Sequence, residues 1–189
     1  MDITVRHSEP DDYREIHRIF SGPRAIAGTL QMPFPRAEMW RERLSEPPEG
    51  LYSLVACVEG EVVGSLGLET SPTRWRMRHV GSIGMAVRDD WQGKGVGTAL
   101  MEAALDLADN WLNLTRIELR VFVDNAAGTA FLAESTSSGG TRQSGTGTAI
   151  HSLRGRATLL ERVLYSRPFG VSTATRFCVL CDLLNHQIP

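Results

Sequence analysis

Apolar positions in the first 127 residues change their period repeatedly, and each change marks an element. Ile3-Thr4-Val5-Arg6 alternates and is β-branched, which predicts a strand. Ser8-Glu9-Pro10-Asp11-Asp12 behind it has the side-chain acceptors and early proline of a helix start. Tyr13, Ile16, Ile19 and Phe20 recur at helical spacing until Ser21-Gly22-Pro23, which ends the element. Residues 25–35 contain Gly28, Pro33 and Pro35 and read as loop or broken helix. Residues 36–44 predict a short helix with Met39, Trp40 and Leu44 inward, closed by Glu46-Pro47-Pro48-Glu49-Gly50.

Two runs rich in valine and leucine, 51–58 and 62–68, are joined by Glu59-Gly60-Glu61 and predict a hairpin. A polar loop follows at 70–78, then an apolar strand at 80–87. Residues 96–111 predict a helix with Leu100, Met101, Ala104, Leu105, Ala108 and Trp111 on one side. That stripe is about 100° wide, enough to cover a sheet. Residues 116–123 alternate Ile117, Leu119, Val121 and Val123 against Glu118, Arg120 and Phe122, a strand with unlike faces. The order β, α, α, β, β, β, α, β predicts an α/β fold with a mixed sheet flanked by helices.

Beyond residue 127 the periodicity fails. Residues 135–148 are rich in Ser, Thr and Gly and read as a linker, 150–164 as a short helix among arginines, and 177–184 as a sticky apolar end. Charge changes with pattern: the 14 basic and 19 acidic residues of 1–127 give −5, whereas 128–189 carry 6 and 3, giving +3. The bland net charge of −2 thus averages two unlike stretches, a core at 1–127 and an atypical tail at 128–189. Of 20 basic residues only Lys94 is lysine, a skew that points to GC-rich coding, and no basic stripe for nucleic acid appears.

The three cysteines are too few for a disulfide scaffold, and Cys57 inside Leu54-Val55-Ala56-Cys57-Val58 reads as a buried, inert thiol. Cys178-Val179-Leu180-Cys181 with His186 offers three zinc ligands where a structural site wants four, so no metal is expected. Neither a run of about 18 apolar residues nor a signal peptide is present, which predicts a cytoplasmic protein without a membrane partner.

The chemistry concentrates at Gln92-Gly93-Lys94-Gly95-Val96-Gly97, a glycine-rich turn between a strand and a helix. Such a turn aims the first free N–H groups of a helix at a ligand and builds a pyrophosphate cradle. A P-loop would need Gly-Lys followed by Ser or Thr, and Lys94 is followed by Gly95. A dinucleotide-binding oxidoreductase would need the third glycine one position later than Gly97 and a more apolar next strand.

Gln92, Gly95 and Gly97 satisfy the pattern Arg/Gln-x-x-Gly-x-Gly/Ala, and here the sequence resembles the GNAT acetyltransferase superfamily. Val80-Gly81-Ser82-Ile83-Gly84-Met85-Ala86-Val87 looks like the family's fourth strand, and Asp124-Asn125-Ala126-Ala127 like its Asp-Asn-x-x-Ala segment. The resemblance spans most of residues 1–127 and implies acetyl-CoA as co-substrate, lying where the fourth and fifth strands splay apart. It implies that backbone at Met85, Ala86 and Val87 holds the pantetheine arm. Gln92, Gly93, Lys94, Gly95, Val96, Gly97 and Thr98 would hold the pyrophosphate, and Asn125 would meet the cofactor.

By the same resemblance, the Thr29-Leu30-Gln31-Met32-Pro33-Phe34-Pro35 loop borders the acceptor pocket, with Thr29, Gln31, Phe34 and His79 as acceptor-side candidates for a small amine such as an amino acid. Glu69 and Glu118 are candidate bases. Members are often homodimers.

The tail departs from the family. Leu132 stands about where many members carry a tyrosine acid, no Gly-Phe follows, and C-terminal strands are expected to be missing or replaced by an irregular tail. One account is a frameshift near residue 128; the other is a divergent extension. The missing acid also raises a rival reading, an impaired acyl-CoA-binding remnant.

Overall fold

The computed structural model describes residues 1–29, 31–122, 125–128, 130–131, 151–152 and 158–166, the last two stretches as backbone. The chain runs β1 (Thr4–His7), α1 (Tyr13–Phe20), α2 (Pro23–Gly28), α3 (Ala37–Ser45), β2 (Leu51–Val58), β3 (Glu61–Thr70), β4 (Val80–Val87), α4 (Val96–Asp106), β5 (Arg116–Phe122), β6 (His151–Ser152) and β7 (Thr158–Ser166). All described strands join one sheet in the order β1-β2-β3-β4-β5-β7-β6. The β4–β5 pair alone is parallel among them, which rules out the doubly wound sheet of a dinucleotide-binding fold.

The β2–β3 hairpin turns on Glu59 and Gly60, whose φ values of 51° and 85° are the double positive φ of the tight hairpin turn that matches strand twist. Its strands then bury opposite faces. Leu54, Ala56, Leu66, Leu68, Ile83, Ile117, Leu119 and Val121 pack with Val96, Leu100, Met101, Ala104 and Leu105 of α4. Val55, Cys57, Val62 and Ala86 pack instead with Ile16, Ile19 and Phe20 of α1 and Trp40 of α3. The Trp40 and Phe20 rings stack at 4.5 Å. Fully removing a Leu or Ile side chain from water is worth about 1.5–3 kcal/mol, so the two layers hold the sheet rigid between them.

Four expectations need correction. Pro23 does not merely end α1; it occupies the first turn of α2, where its missing N–H costs nothing. Met39 is 43% exposed while Trp40 takes the inward position. Trp111 is 76% exposed, because residues Leu107–Trp111 widen into a π turn with Leu112 N–H bonded to Leu107 C=O at 3.0 Å, which slips the helical phase. The tail is not wholly irregular either: 158–166, part of the expected helix, is a strand antiparallel to β5, so β5 is not an edge. Thr158, Val163 and Tyr165 favour a strand, and the side of β5 away from β4 supplies the template. Leu132, the 135–148 linker and the 177–184 segment lie outside the described residues.

Candidate functional site

Strand β4 has a partner on both sides only from Gly81 to Ile83. Toward β3 it pairs from Gly81 to Val87, but toward β5 the register runs Val80↔Arg116, Gly81↔Ile117, Ser82↔Glu118, Ile83↔Leu119 and stops. Both strands continue, β4 to Val87 and β5 to Phe122, so they diverge beyond Ile83 and leave the β5-facing edge of residues 84–87 without a strand partner. Main-chain groups on such an edge accept an extended ligand as they would another strand.

The open end of this splay is where α4 begins. Gly95 caps α4 in the left-handed region at φ 84°, a conformation that costs an L side chain about 1–2 kcal/mol, and Gly93 two residues earlier has φ 71°. The first intrahelical bond runs from Ala99 N–H to Gly95 C=O. The N–H groups of Val96, Gly97 and Thr98 therefore have no acceptor within the helix, and Gly95 has no side chain to cap them. With the helix dipole behind them they form an anion seat. Lys94 adds a cation, its Nζ 4.6 Å over the Trp91 ring.

Gln92 is half-buried: its amide donates to Val87 C=O at 3.3 Å and to the Asp89 carboxylate at 3.4 Å, and its Oε1 accepts from Arg24 at 3.2 Å. Beyond β5, Asn125 Oδ1 accepts the N–H of Gly128 at 2.9 Å, capping the next helical turn, and its Nδ2 donates to Gly28 C=O at 3.4 Å. Met85 and Val87 pack partly buried against the α4 layer, while Ala86 is buried on the α1 side.

At the closed end, register places Glu69 and Glu118 on one face, each directly across from Ser82. They flank Ser82 at two strand spacings from each other, roughly 9–10 Å. The Glu118 side chain is 18% exposed and pairs with Arg116 at 2.6 Å; the Glu69 side chain is 60% exposed and pairs with Arg43 at 2.9 Å. Ser82, exposed between them, had no role in the sequence reading. Its signal was the run of small residues Ser82, Gly84 and Ala86 at alternate positions of an otherwise apolar strand.

The acceptor-side candidates are not brought together equally. Thr29 Oγ1 donates to Ala25 C=O at 2.6 Å and accepts the Gln31 N–H at 3.4 Å, which folds the chain back against α2. Phe34 has φ 60° and is 94% exposed, so its ring stands in solvent. The His79 side chain is exposed, and its carbonyl accepts the N–H groups of Thr115 and Arg116, fixing the start of β5. Among the described residues no group of three or more His, Cys, Asp or Glu is placed to hold a metal ion, and no helix is long and apolar enough to cross a membrane.

The model of the acetyltransferase (GNAT) family matches residues 12–135. The chain belongs to the GNAT acetyltransferase family. It is 45% identical over 125 residues to the L-amino acid N-acetyltransferase AaaT of Escherichia coli K12, covering 66% of this chain and 76% of that protein. It is 32% identical over 133 residues to an N-alpha-acetyltransferase of Saccharolobus solfataricus, covering 66% and 73%. Among solved structures, yncA of Salmonella typhimurium with its cofactor acetyl-CoA superposes with a TM-score of 0.69 at 17% identity, over 92% of this chain and 99% of that one. A ribosomal-protein-alanine N-acetyltransferase of Brucella melitensis gives 0.68 at 21%, over 86% and 99%. These last two carry the fold alone.

This GNAT chain is an acyltransferase, and the acyl donor its family uses is acetyl-CoA. Its own residues fit that donor: a diphosphate matches the first-turn N–H groups of α4, and an extended amide-bearing arm matches the unpaired edge of residues 84–87. No atom would lie within 4 Å of a Cβ built on Gly84, so the face of β4 that carries Ser82 is open there as well.

Proposed function

We propose that this chain acetylates the primary amine of a small molecule, an L-amino acid, with Glu118 as the general base. The observation that carries the reading is the end of β4–β5 pairing at Ile83↔Leu119, with an uncapped helix N-terminus at the open end and the Glu69–Ser82–Glu118 row at the closed end. From Val87 to Ile83 is four residues, about 13 Å of strand, a span over which an extended arm anchored at the cradle leads its far end to that row. The amino-acid acceptor is supported by the 45% identity to a protein named for L-amino acids.

Acetyl-CoA supplies an acyl carbon activated as a thioester. The amine must arrive unprotonated, and Glu118, shielded on one side by Arg116, takes the ammonium proton through a water held at Ser82. A base so placed contributes about 10²–10⁴-fold. Glu69, more exposed and tied to α3 through Arg43, attracts the ammonium without receiving its proton. Main chain at Met85, Ala86 and Val87 binds the pantetheine arm, Gln92 to Thr98 bind the diphosphate, and Asn125 closes the other side. Thr29 and Gln31 line the acceptor side.

Calorimetric titration with CoA, followed by a free-thiol assay against the twenty L-amino acids, their D-enantiomers and spermidine, tests this. Binding with thiol release confined to L-amino acids is expected. Release with spermidine alone would overturn the acceptor class. Binding without any release would make the chain an acyl-CoA-binding remnant, in keeping with Leu132 at the position of the family's tyrosine.

A further inference from the structure

Helix α2 touches both sides of the splay. At its N-terminal end the Arg24 N–H points at Asp89 Oδ2, 3.4 Å away, and the Arg24 guanidinium donates to Gln92 Oε1 at 3.2 Å. Asp89 also accepts from the Gln92 amide and lies 3.3 Å from where a Cβ on Gly22 would sit. At its C-terminal end the Gly28 carbonyl accepts from Asn125 Nδ2, and a Cβ on Gly28 would stand 2.7 Å from that nitrogen. Gln92 follows β4 and Asn125 follows β5, so one short helix is pinned to the ends of both diverging strands. The next residue is Thr29, folded back onto Ala25 and bonded to Gln31.

The lengths of these bonds matter. Ordinary N–H···O bonds cluster near 2.9–3.0 Å. The contacts from α2 across to Asp89, Gln92 and Asn125 measure 3.2–3.4 Å, as do the bonds of Gln92 to Val87 and Asp89, so the whole corner is held by bonds longer than these. A few side-chain bonds therefore tie α2 to the ends of both strands. A ligand that fixes the Gln92 and Asn125 side chains would tighten both ends of α2 together.

We propose that α2 is a clasp across the mouth of the splay, with Arg24 and Asp89 as positioning residues that set the acceptor-side segment after Gly28 according to whether the cradle is filled. The proposal deepens the acetyltransferase reading and rests on it. By linkage, filling the cradle strengthens acceptor binding and the acceptor strengthens cradle binding by the same factor, typically about 5–150-fold for coupled sites. Arg24 acts through Gln92 and does not touch the reacting atoms.

The test is hydrogen–deuterium exchange with CoA as the probe, on the full chain and on Arg24→Ala, Arg24→Lys and Gly28→Ala. Gly28→Ala is informative because alanine raises helix propensity by about 1 kcal/mol while its Cβ displaces Asn125, so α2 itself is not weakened. In the wild-type chain CoA should slow exchange both in 92–100 and in 25–29. In Arg24→Ala and Gly28→Ala the first protection should stay and the second vanish, with Arg24→Lys restoring part of it. The KM for the acceptor should rise at least about fivefold in Arg24→Ala, against a change of less than about twofold in the KM for acetyl-CoA. Protection of 92–100 without 25–29 in the wild type, or protection of 25–29 that survives both disruptive variants, overturns the clasp and leaves the acetyltransferase reading standing. Protection of neither segment overturns that reading and the clasp with it.

Discussion

Strand β4 is built differently on either side of Ile83. From Gly81 to Ile83 it is held by β3 and β5, and a Cβ on Gly81 would come within 3.0 Å of Leu114, Leu68 and Ile117. From Gly84 to Val87 it is held on one side, and a Cβ on Gly84 would meet nothing within 4 Å. One half is a packed floor and the other an open edge, within a strand of eight residues. The rigid half positions the carboxylates, and the open half is free to bind. A strand paired throughout could do only the first.

The largest effect should come from removing the base at the junction. Glu118→Gln keeps the shape and an acceptor for Arg116 but cannot take a proton, so kcat/KM for acetyl transfer should fall by about 10²–10⁴-fold with CoA affinity unchanged. Glu69→Gln, in an exposed ion pair worth no more than about 1 kcal/mol, should cost less than about fivefold. Steady-state rates with one amino acid distinguish them; equal losses would remove Glu118 from its role.

How much of this was legible in the residues follows from how local each feature is. The strands at 51–58 and 80–87 could be read as apolar runs bounded by turn residues and that at 116–122 from its alternation, since both are properties of the segment itself, and the cradle because Gly93 and Gly95 must adopt positive φ where they stand. Helix α2 escaped because six residues are too few to show a period and Pro23 signals a start as readily as a stop. Trp111 was misplaced because a π turn shifts the phase of a stripe that looks continuous in sequence. The small residues at 82, 84 and 86 mark a face, but the placement of Ser82 between the two carboxylates could not be read, since register between β3, β4 and β5 joins residues far apart in the chain. The strand at 158–166 escaped for the same reason: its partner is β5.

An intermediate effect should appear far from the splay. Asp12 receives Arg6 through two bonds of 2.7 and 2.8 Å and the Glu9 N–H at 2.7 Å. Burial alone would raise its pKa, but the Arg6 and Glu9 bonds outweigh that and hold it below the ordinary carboxylate value. A depressed folded pKa means stability that is present above the unfolded value of about 4 and lost as pH falls through the folded one. Asp12→Asn should lower unfolding free energy at pH 7 by about 1.5–3 kcal/mol, the range for hydrogen bonds to a charged group. The gap from wild type should narrow below about pH 4 in denaturant titrations. Because Asp12 braces the β1 edge and not β4, the folded fraction should keep its transfer activity.

The smallest effect tests the two halves of β4 most directly, by making one substitution on either side of Ile83. In Gly81→Ala the new methyl enters a space already bounded by three buried side chains, and overpacking of this kind costs about 1–3 kcal/mol. In Gly84→Ala nothing has to move, and the unfolded chain loses backbone freedom, so stability should hold or rise by about 0.4–1 kcal/mol. Opposite signs from thermal melts would show that packing, and not strand propensity, separates the α4-facing side at Gly81 from the open Ser82 face at Gly84, since propensity favours alanine at both positions. If Gly84→Ala destabilises as much as Gly81→Ala, the Ser82 face is covered at Gly84 and the amine does not approach Glu118 across it. If it is stable yet raises the KM of the acceptor while leaving CoA binding intact, the methyl stands on the Ser82 face, where the amine must approach Glu118.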